Sequence, residues 1–445
     1  MKRFYSTLSS NGIIGIKGTH DIFPLQKSAY QYVNDVGKRV AQLYNFKEMS
    51  TPIIEYTNVF VRSVGEDSDI VMKEMFTFND KSGNQNSNKS ISLRPEGTAG
   101  IIRAIVNQGS TFAHSAPQRV YYSGPMFRYE SPQKGRSRQF EQFGVELIGD
   151  ARYQTDVEII DMANTFIQRL GIDPSKISLK INTLGDKDSI VNYNRLLTNY
   201  FTLHKDHLSA LSKSRLERGN PLRILDSKDP KDREICLQAP ILLDSICQDS
   251  SNRFTNVLKG LELLNIPYQV DNSLVRGLDY YRHTIFEICV NASNNNNNEP
   301  PLTVLGGGRY DGLANEMGLN DSNILPSMGW AAGIERLIML LDTNRIPSPP
   351  QPVSIIGTGA DVSSWALKLC KQLRLSDIPT IVPIPDMEKE SLSKQLKKCI
   401  KLGSRYVVIL GSDEMSSGNV KLKDTNTGEQ STLTIDDLIN KLKTN

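Results

Sequence analysis

Nowhere in the 445 residues does an apolar run approach the ~20 residues that a membrane-spanning helix requires, which excludes a helical membrane protein and any membrane partner. Cysteine is scarce: Cys236, Cys247, Cys289, Cys370 and Cys399 are scattered, with no C-x-x-C pair and no histidine at zinc-ligand spacing. They read as reduced thiols in a reducing compartment, so neither a disulfide framework nor a structural metal site is expected. Neither sign of charge dominates: 52 Lys plus Arg stand against 49 Asp plus Glu, a net +3. That balance neither demands nor excludes nucleic acid, because binding depends on local field rather than on the sum. Acid is missing before Asp21, while Lys2, Arg3 and several hydroxyls fill the start. An acid-free, hydroxyl-rich, basic start is the pattern of a mitochondrial import sequence, and residues 1–12 are read as one. The plainer alternative is a short disordered tail. The expected compartment is the mitochondrial matrix, with cytoplasm, or both, as the alternative.

What is present is a soluble globular composition, 38% apolar and 23% charged, in a chain long enough for two or three domains. Ala29, Val33, Val36, Val40 and Leu43 recur at helical spacing, predicting an amphipathic helix over 26–43 with Pro24 just ahead of it. A strand-like stretch at 46–54 is interrupted by Pro52, which belongs at a sheet edge. Residues 81–90 form a polar loop. Two β-rich runs, 119–127 and 140–148, flank a charged span with Gly and Pro, predicting a hairpin with a long tip. Residues 186–264 read as a helical insertion, and 284–290 with 302–305 as a further strand pair separated by an Asn-rich surface loop. Proline density at 345–352 marks a linker. Beyond it, strands at 353–357, 379–384 and 406–410 alternate with helices at 363–375 and 391–402, predicting a small α/β domain. The last of these helices carries KQLKKCIKLGSR, a strongly basic face suited to RNA.

The span 127–149, FRYESPQKGRSRQFEQFGVELIG, concentrates unusual chemistry. Residues two apart share a strand face, so Phe140, Gln142, Gly144 and Glu146 point the same way. Gln and Glu facing an arginine across a hairpin make a poor hydrophobic core. A solvated charged hairpin and a ligand site are both open on this stretch alone.

This stretch resembles motif 2 of the class II aminoacyl-tRNA synthetases. Residues 329–337, GWAAGIERL, resemble motif 3, and the region around Pro52 resembles motif 1, the homodimer element. RGLDYYRHTIFE at 276–287 and LGGGRYDGL at 305–313 resemble the two motifs peculiar to the histidyl-tRNA synthetase family, with LRPEGT at 93–98 and KGTHDIFP near the start in support. The likeness runs from about residue 15 to the C-terminus. It implies an α+β fold: an antiparallel-sheet catalytic domain over 13–344 containing the helical insertion, then a C-terminal α/β anticodon-binding domain over 353–445. The implied function is ATP-dependent activation of L-histidine to histidyl-adenylate and its transfer to tRNA(His), with Mg²⁺ as cofactor, ligands unassigned, and a homodimer as the working form.

The resemblance also implies site residues. Arg128 and Arg276 would clamp the α-phosphate and the histidine carboxylate as the catalytic pair, and Arg136 and Arg336 the pyrophosphate end. Phe140 would stack on adenine and Glu130 read its edge. Glu96, Thr98 and Gln142 would hold the α-ammonium; Glu146 and Tyr281, with Tyr280 adjacent, the imidazole. Tyr310 and Asp311 would line or brace the pocket. The sequence departs from the family at His20 and Ser131, where arginine is common, which puts the contact to the tRNA acceptor end in doubt. The alternative function is a non-catalytic paralogue, of the type of the ATP phosphoribosyltransferase regulatory subunit.

Overall fold

The computed structural model describes residues 13–66, 68–79, 90–227, 229–275, 277–291, 302–359, 361–382 and 389–444. The proposed presequence, the Asn-rich loop and most of the 81–90 loop lie outside the described residues. The chain divides into two compact units, Met1–Pro347 and Ser348–Asn445.

Strands of the first unit follow the chain as β1 (Lys47–Glu48), β2 (Ile54–Tyr56), β3 (Thr77–Asn79) and β4 (Ser90–Leu93), then β5 (Gln118–Phe127) and β6 (Gln139–Ile148). After them come β7 (Ile177–Thr183), β8 (Gln269–Val270), β9 (Arg282–Val290), β10 (Thr303–Arg309) and β11 (Ser327–Gly333). Three of them make a small antiparallel sheet, β2-β4-β3; the rest form an eight-stranded sheet in the order β1-β5-β6-β11-β10-β9-β7-β8. The six inner strands pair antiparallel, and only the two-residue edge strands β1 and β8 pair parallel. The strand expected over 46–54 is therefore two short pieces in different sheets. Pro52, which has no N–H to donate, falls in the irregular stretch between them. The polar loop also ends one residue early, since Ser90 opens β4.

Helices cover both faces of the large sheet. On one, Phe143, Val145 and Leu147 of β6 pack with helices Pro24–Leu43, Tyr153–Arg169 and Gln248–Leu263. Its centre is aromatic: Phe166 lies 5.5 Å from Phe143 and 5.6 Å from Trp330, centroid to centroid. Pro24 lies inside the first helix rather than ahead of it, in the first turn, where its missing N–H leaves no helical bond unmade. The opposite face is covered by helix Thr98–Asn107 and by helices from the segment between β7 and β8, among them Lys187–Leu203 and Ala210–Glu217. Gly144 and Glu146 of β6 turn toward this second face.

The second unit has its own core. Strands β12 (Val353–Gly357), β13 (Thr380–Ile381) and β14 (Tyr406–Leu410) pair parallel, and β15 (Asn419–Asp424) and β16 (Gln430–Thr434) continue the sheet antiparallel, in the order β13-β12-β14-β15-β16. The alternating pattern read from the sequence thus ends in a hairpin and a closing helix, Ile435–Lys443, that were not anticipated. The strand expected over 379–384 shrinks to two paired residues, with 383–388 outside the described residues.

Candidate active site

Glu146 is the centre of the second face. The register of β6 sets it opposite Val120 of β5 and Gly329 of β11, and it is only 1% exposed. A Cβ on Gly329 would fall 1.8 Å from Glu146 Oε2, so only glycine leaves room for the carboxyl there. Three hydroxyls converge on it: Thr98 Oγ1 donates to Oε1 at 2.7 Å, Tyr122 Oη to the same oxygen at 3.3 Å, and Tyr310 Oη to Oε2. Burial pushes the Glu146 pKa up to about 8; the Tyr310 and Thr98 hydroxyls oppose the rise, and the nearby Glu96 adds to it. Tyr280 and Tyr281 close the wall, their centroids 4.6 Å apart, and Tyr280 meets Tyr310 edge-on at 5.6 Å.

Helix Thr98–Asn107 starts against this pocket, and Glu96 takes up its first amides. Glu96 Oε2 accepts from Thr98 N at 2.7 Å and Oε1 from Ala99 N at 2.8 Å. A buried carboxylate at a helix N-terminus satisfies donors that have no helical partner. Burial still raises the Glu96 pKa, although these amides and then the Arg128 charge pull it down. Gln142, on the same face of β6, has its Oε1 buried without a hydrogen-bond partner.

The arginines form an adjoining group. Arg128 Nε donates to Pro95 O at 3.0 Å, and its guanidinium lies 5.3 Å from the centre of the Phe140 ring. Arg136 Nη1 pairs with Glu130 Oε2 at 2.8 Å. Arg336, on the short helix Ile334–Ile338, donates from Nε to Gly135 O at 3.0 Å and from Nη1 to Thr303 O at 2.7 Å. Burial, then repulsion from Arg136 and Arg128, lowers the Arg336 pKa. Like charges gathered this way from three separate positions make a receptacle for an anion.

Comparison with known proteins gives this geometry a context. A family model described as histidyl-tRNA synthetase matches residues 18–193, and one for an anticodon binding domain matches 352–445. The chain is 52% identical over 439 residues to a probable mitochondrial histidine--tRNA ligase of Dictyostelium discoideum, covering 97% of this chain and 87% of that one. It is 42% identical over 418 residues to the histidine--tRNA ligase of Rhodospirillum rubrum, covering 94% and 95%. The crystal structure of apo S. aureus histidyl-tRNA synthetase superposes with a TM-score of 0.77 at 32% identity, covering 97% of this chain and all of that one. The chain belongs to the histidyl-tRNA synthetase family. It is a class II aminoacyl-tRNA ligase for histidine, and full-length likeness to histidine--tRNA ligases sets aside the regulatory-paralogue alternative.

Of the residues singled out from the sequence, Glu96, Thr98, Glu146, Tyr280 and Tyr281 meet in one pocket, and Arg128, Glu130, Arg136, Phe140 and Arg336 gather beside it. Arg276 lies outside the described residues. His20 and Ser131 are both exposed. Two participants were underrated. Tyr122, in the β-rich run 119–127, carries no expected role, and Tyr310 is expected only to line or brace the pocket, yet both donate to Glu146. The available signal was a tyrosine on β5 that shares a sheet face with an acid on β6.

Behind Tyr310 lies a buried ionic network that sequence reading did not find. Arg309, fully buried, donates to Asp156 Oδ1 from Nε at 2.9 Å and from Nη2 at 2.6 Å, and to Asp311 Oδ1 from Nη1 at 3.0 Å. Asp156 also accepts from Arg253 Nη2 at 2.8 Å and Thr284 Oγ1 at 2.7 Å. The network ties the helices to the ends of β9 and β10 next to the pocket.

Proposed function

We propose that the two groups divide the activation step between them. Glu146 and Tyr281, with Tyr280 beside them, hold the imidazole; Glu96, Thr98 and Gln142 hold the α-ammonium. Arg128 and Arg276 clamp the histidine carboxylate and the ATP α-phosphate, and Arg136 and Arg336 receive the pyrophosphate end. Phe140 stacks on adenine and Glu130 reads its edge. The observation that carries this reading is the position of Arg128, whose Nε donates to Pro95 O, next to Glu96, while its guanidinium lies 5.3 Å from the Phe140 ring centre. An arginine there spans the junction where carboxylate oxygen meets α-phosphorus.

The reaction is an in-line displacement, with the histidine carboxylate attacking the α-phosphorus and pyrophosphate leaving. The protein's share is positioning and charge neutralisation, for which the permanently protonated arginine fork is suited. Thr98, Tyr122 and Tyr310 leave the Glu146 carboxyl little freedom to turn, so it presents a fixed acceptor edge to a ring N–H. Among the described residues no group of three or more His, Cys, Asp or Glu is arranged to hold a metal ion. The carboxylates that act on Arg336 are Glu130 and Glu287. One or two carboxylates suit Mg²⁺ carried on the ATP phosphates, where it would neutralise charge on the leaving group.

Ile53, Ile54 and Tyr56, beside Pro52, are exposed, which supports a homodimer through this region. Residues 13–344 form the catalytic domain with its insertion at 186–264, residues 345–352 the linker, and 353–445 the anticodon-binding domain for tRNA(His). In that last domain Lys394, Lys397, Lys398 and Lys401 stand exposed on helix Leu392–Lys401 as an RNA contact. The basic, acid-free start and the mitochondrial name of the Dictyostelium relative support a mitochondrial matrix location. Among the described residues no helix is long and apolar enough to cross a membrane.

Histidine-dependent ATP–pyrophosphate exchange by the purified protein tests the core of the proposal. Exchange with histidine and with none of the other amino acids is the expected result; no exchange from folded protein would overturn it.

A further inference from the structure

Between β7 and β8, the 3-10 helix Pro221–Ile224 reaches back to the pocket's rim through Arg223, which Arg215 of the helix Ala210–Glu217 holds in place. Arg223 is 7% exposed, and its Nη2 donates both to Gly277 O and to Asp279 Oδ1, each at 2.9 Å. These acceptors lie in the turn that runs into Tyr280 and Tyr281. On its other side the turn is held against the helix Thr57–Val64: Asp279 N donates to Val64 O at 3.3 Å, and a Cβ on Gly65 would fall 2.2 Å from Asp279 Oδ2. Arg215 completes the clip. Its Nη1 donates to the Arg223 carbonyl at 2.8 Å, and its Nη2 pairs with Asp69 at 3.1 Å. Asp69 precedes the turn of π-helix Ile70–Glu74, whose last carbonyl accepts from Tyr129 N, at the base of the arginine hairpin, at 2.6 Å.

Two segments that border the site, 64–74 and 277–281, are thus joined through a third that touches neither substrate position assigned above. We infer that Arg223 is a positioning residue for the histidine pocket. It sets the 277–281 turn, and with it the tyrosine wall, while Arg215 fixes Arg223 against the 69–74 segment. The inference rests on the pocket assignment made above. A guanidinium suits the task because the two hydrogens on Nη2 are fixed in the guanidinium plane and so aim at the carbonyl and the carboxylate together, which a lysine ammonium on a flexible stem does less well. Groups that hold binding residues decide whether a site is formed to within a fraction of an ångström, and small misplacements are costly.

The test is steady-state pyrophosphate exchange on full-length Arg223→Met, Arg223→Lys and Glu146→Gln, with thermal melts of each. Arg223→Met should raise KM for histidine about tenfold, the scale of one lost charged hydrogen bond, with KM for ATP changed less than twofold. Arg223→Lys should recover part of that loss. A folded Arg223→Met whose histidine KM stays within twofold, while Glu146→Gln raises it, overturns the positioning role and leaves the pocket assignment intact. An equal rise in both KM values also overturns it, as general loosening. If Glu146→Gln leaves histidine KM unchanged, the pocket assignment fails and this inference falls with it. Should Arg223→Met not fold, Asp279→Asn decides: a selective rise in histidine KM supports the role, and an unchanged KM overturns it.

Discussion

Strand β6 builds two unlike surfaces from alternate residues. Phe143, Val145 and Leu147 enter a dry aromatic and aliphatic core, while Gln142, Gly144 and Glu146 face the pocket. On the first side fit is mainly a matter of volume, as at Phe166, and Trp330 adds one buried hydrogen bond, from Nε1 to Ile159 O at 3.2 Å. On the second, the polar groups meet named partners, Gln142 Oε1 excepted, and glycines make room for them, Gly329 for the Glu146 carboxyl and Gly144 for the Tyr122 ring. The comparison teaches that stability and specificity can share a strand without sharing residues.

That separation can be broken experimentally. The largest effect should come from Glu146→Gln: a fall in kcat/KM for histidine of roughly 10²–10³, read by pyrophosphate exchange, since a site built to hydrogen-bond a substrate group is left mispaired. Its melting temperature, compared at pH 8 where the pH-linked contribution of the carboxyl has levelled off, should move less than that of a core truncation. Phe143→Ala should do the reverse, costing about 3–5 kcal/mol in denaturant unfolding, with the kinetic constants of the folded fraction near wild type. If each variant shifts both readouts together, the two faces are not independent.

A smaller, finer difference lies in pH. The Glu146 carboxyl holds its proton to about pH 8 when folded, against an ordinary value near 4.5. Between those values the folded state binds the extra proton, so this group's contribution to stability falls as pH rises and levels off above about 8. Glu96 shifts in the same direction. The stability of wild type relative to Glu146→Gln should therefore decline between pH 5 and pH 8; a gap that widens with pH would reverse the assignment.

Two β-rich runs about a Gly- and Pro-containing span made the β5–β6 hairpin readable, and period two made the shared face of Gln142 and Glu146 readable, because both are local information. The first helix was readable for the same reason at period 3.6. Edge strands β1 and β8, two residues each, carry no period, and their pairing is decided by what lies beside them. Tyr122 was hidden because tyrosine in a strand is usually packing, and only the register across from β6 reveals its hydroxyl's partner. The pairing of Arg309 with Asp156 spans 153 positions and leaves no local trace. Motif resemblance, by contrast, pointed to residues far apart in the chain that the fold brings together, such as Glu96, Thr98 and Glu146, while saying nothing of the Arg223 contacts.

Arg309 and Asp156 also constrain how this chain can change over generations. Both side chains are fully buried, so losing either one takes a principal partner from a charge that water cannot reach and leaves Arg253 as the remaining cation on Asp156, or Asp311 as the remaining anion on Arg309, a cost of up to several kcal/mol against a domain's margin of about 5–15. An apolar pair of matching volume could be tolerated, but the route there passes through a single replacement that the fold does not survive comfortably. Change at these two positions is thus coupled, and Arg253, Thr284 and Asp311, which share the same carboxylate or the same guanidinium, are coupled with them.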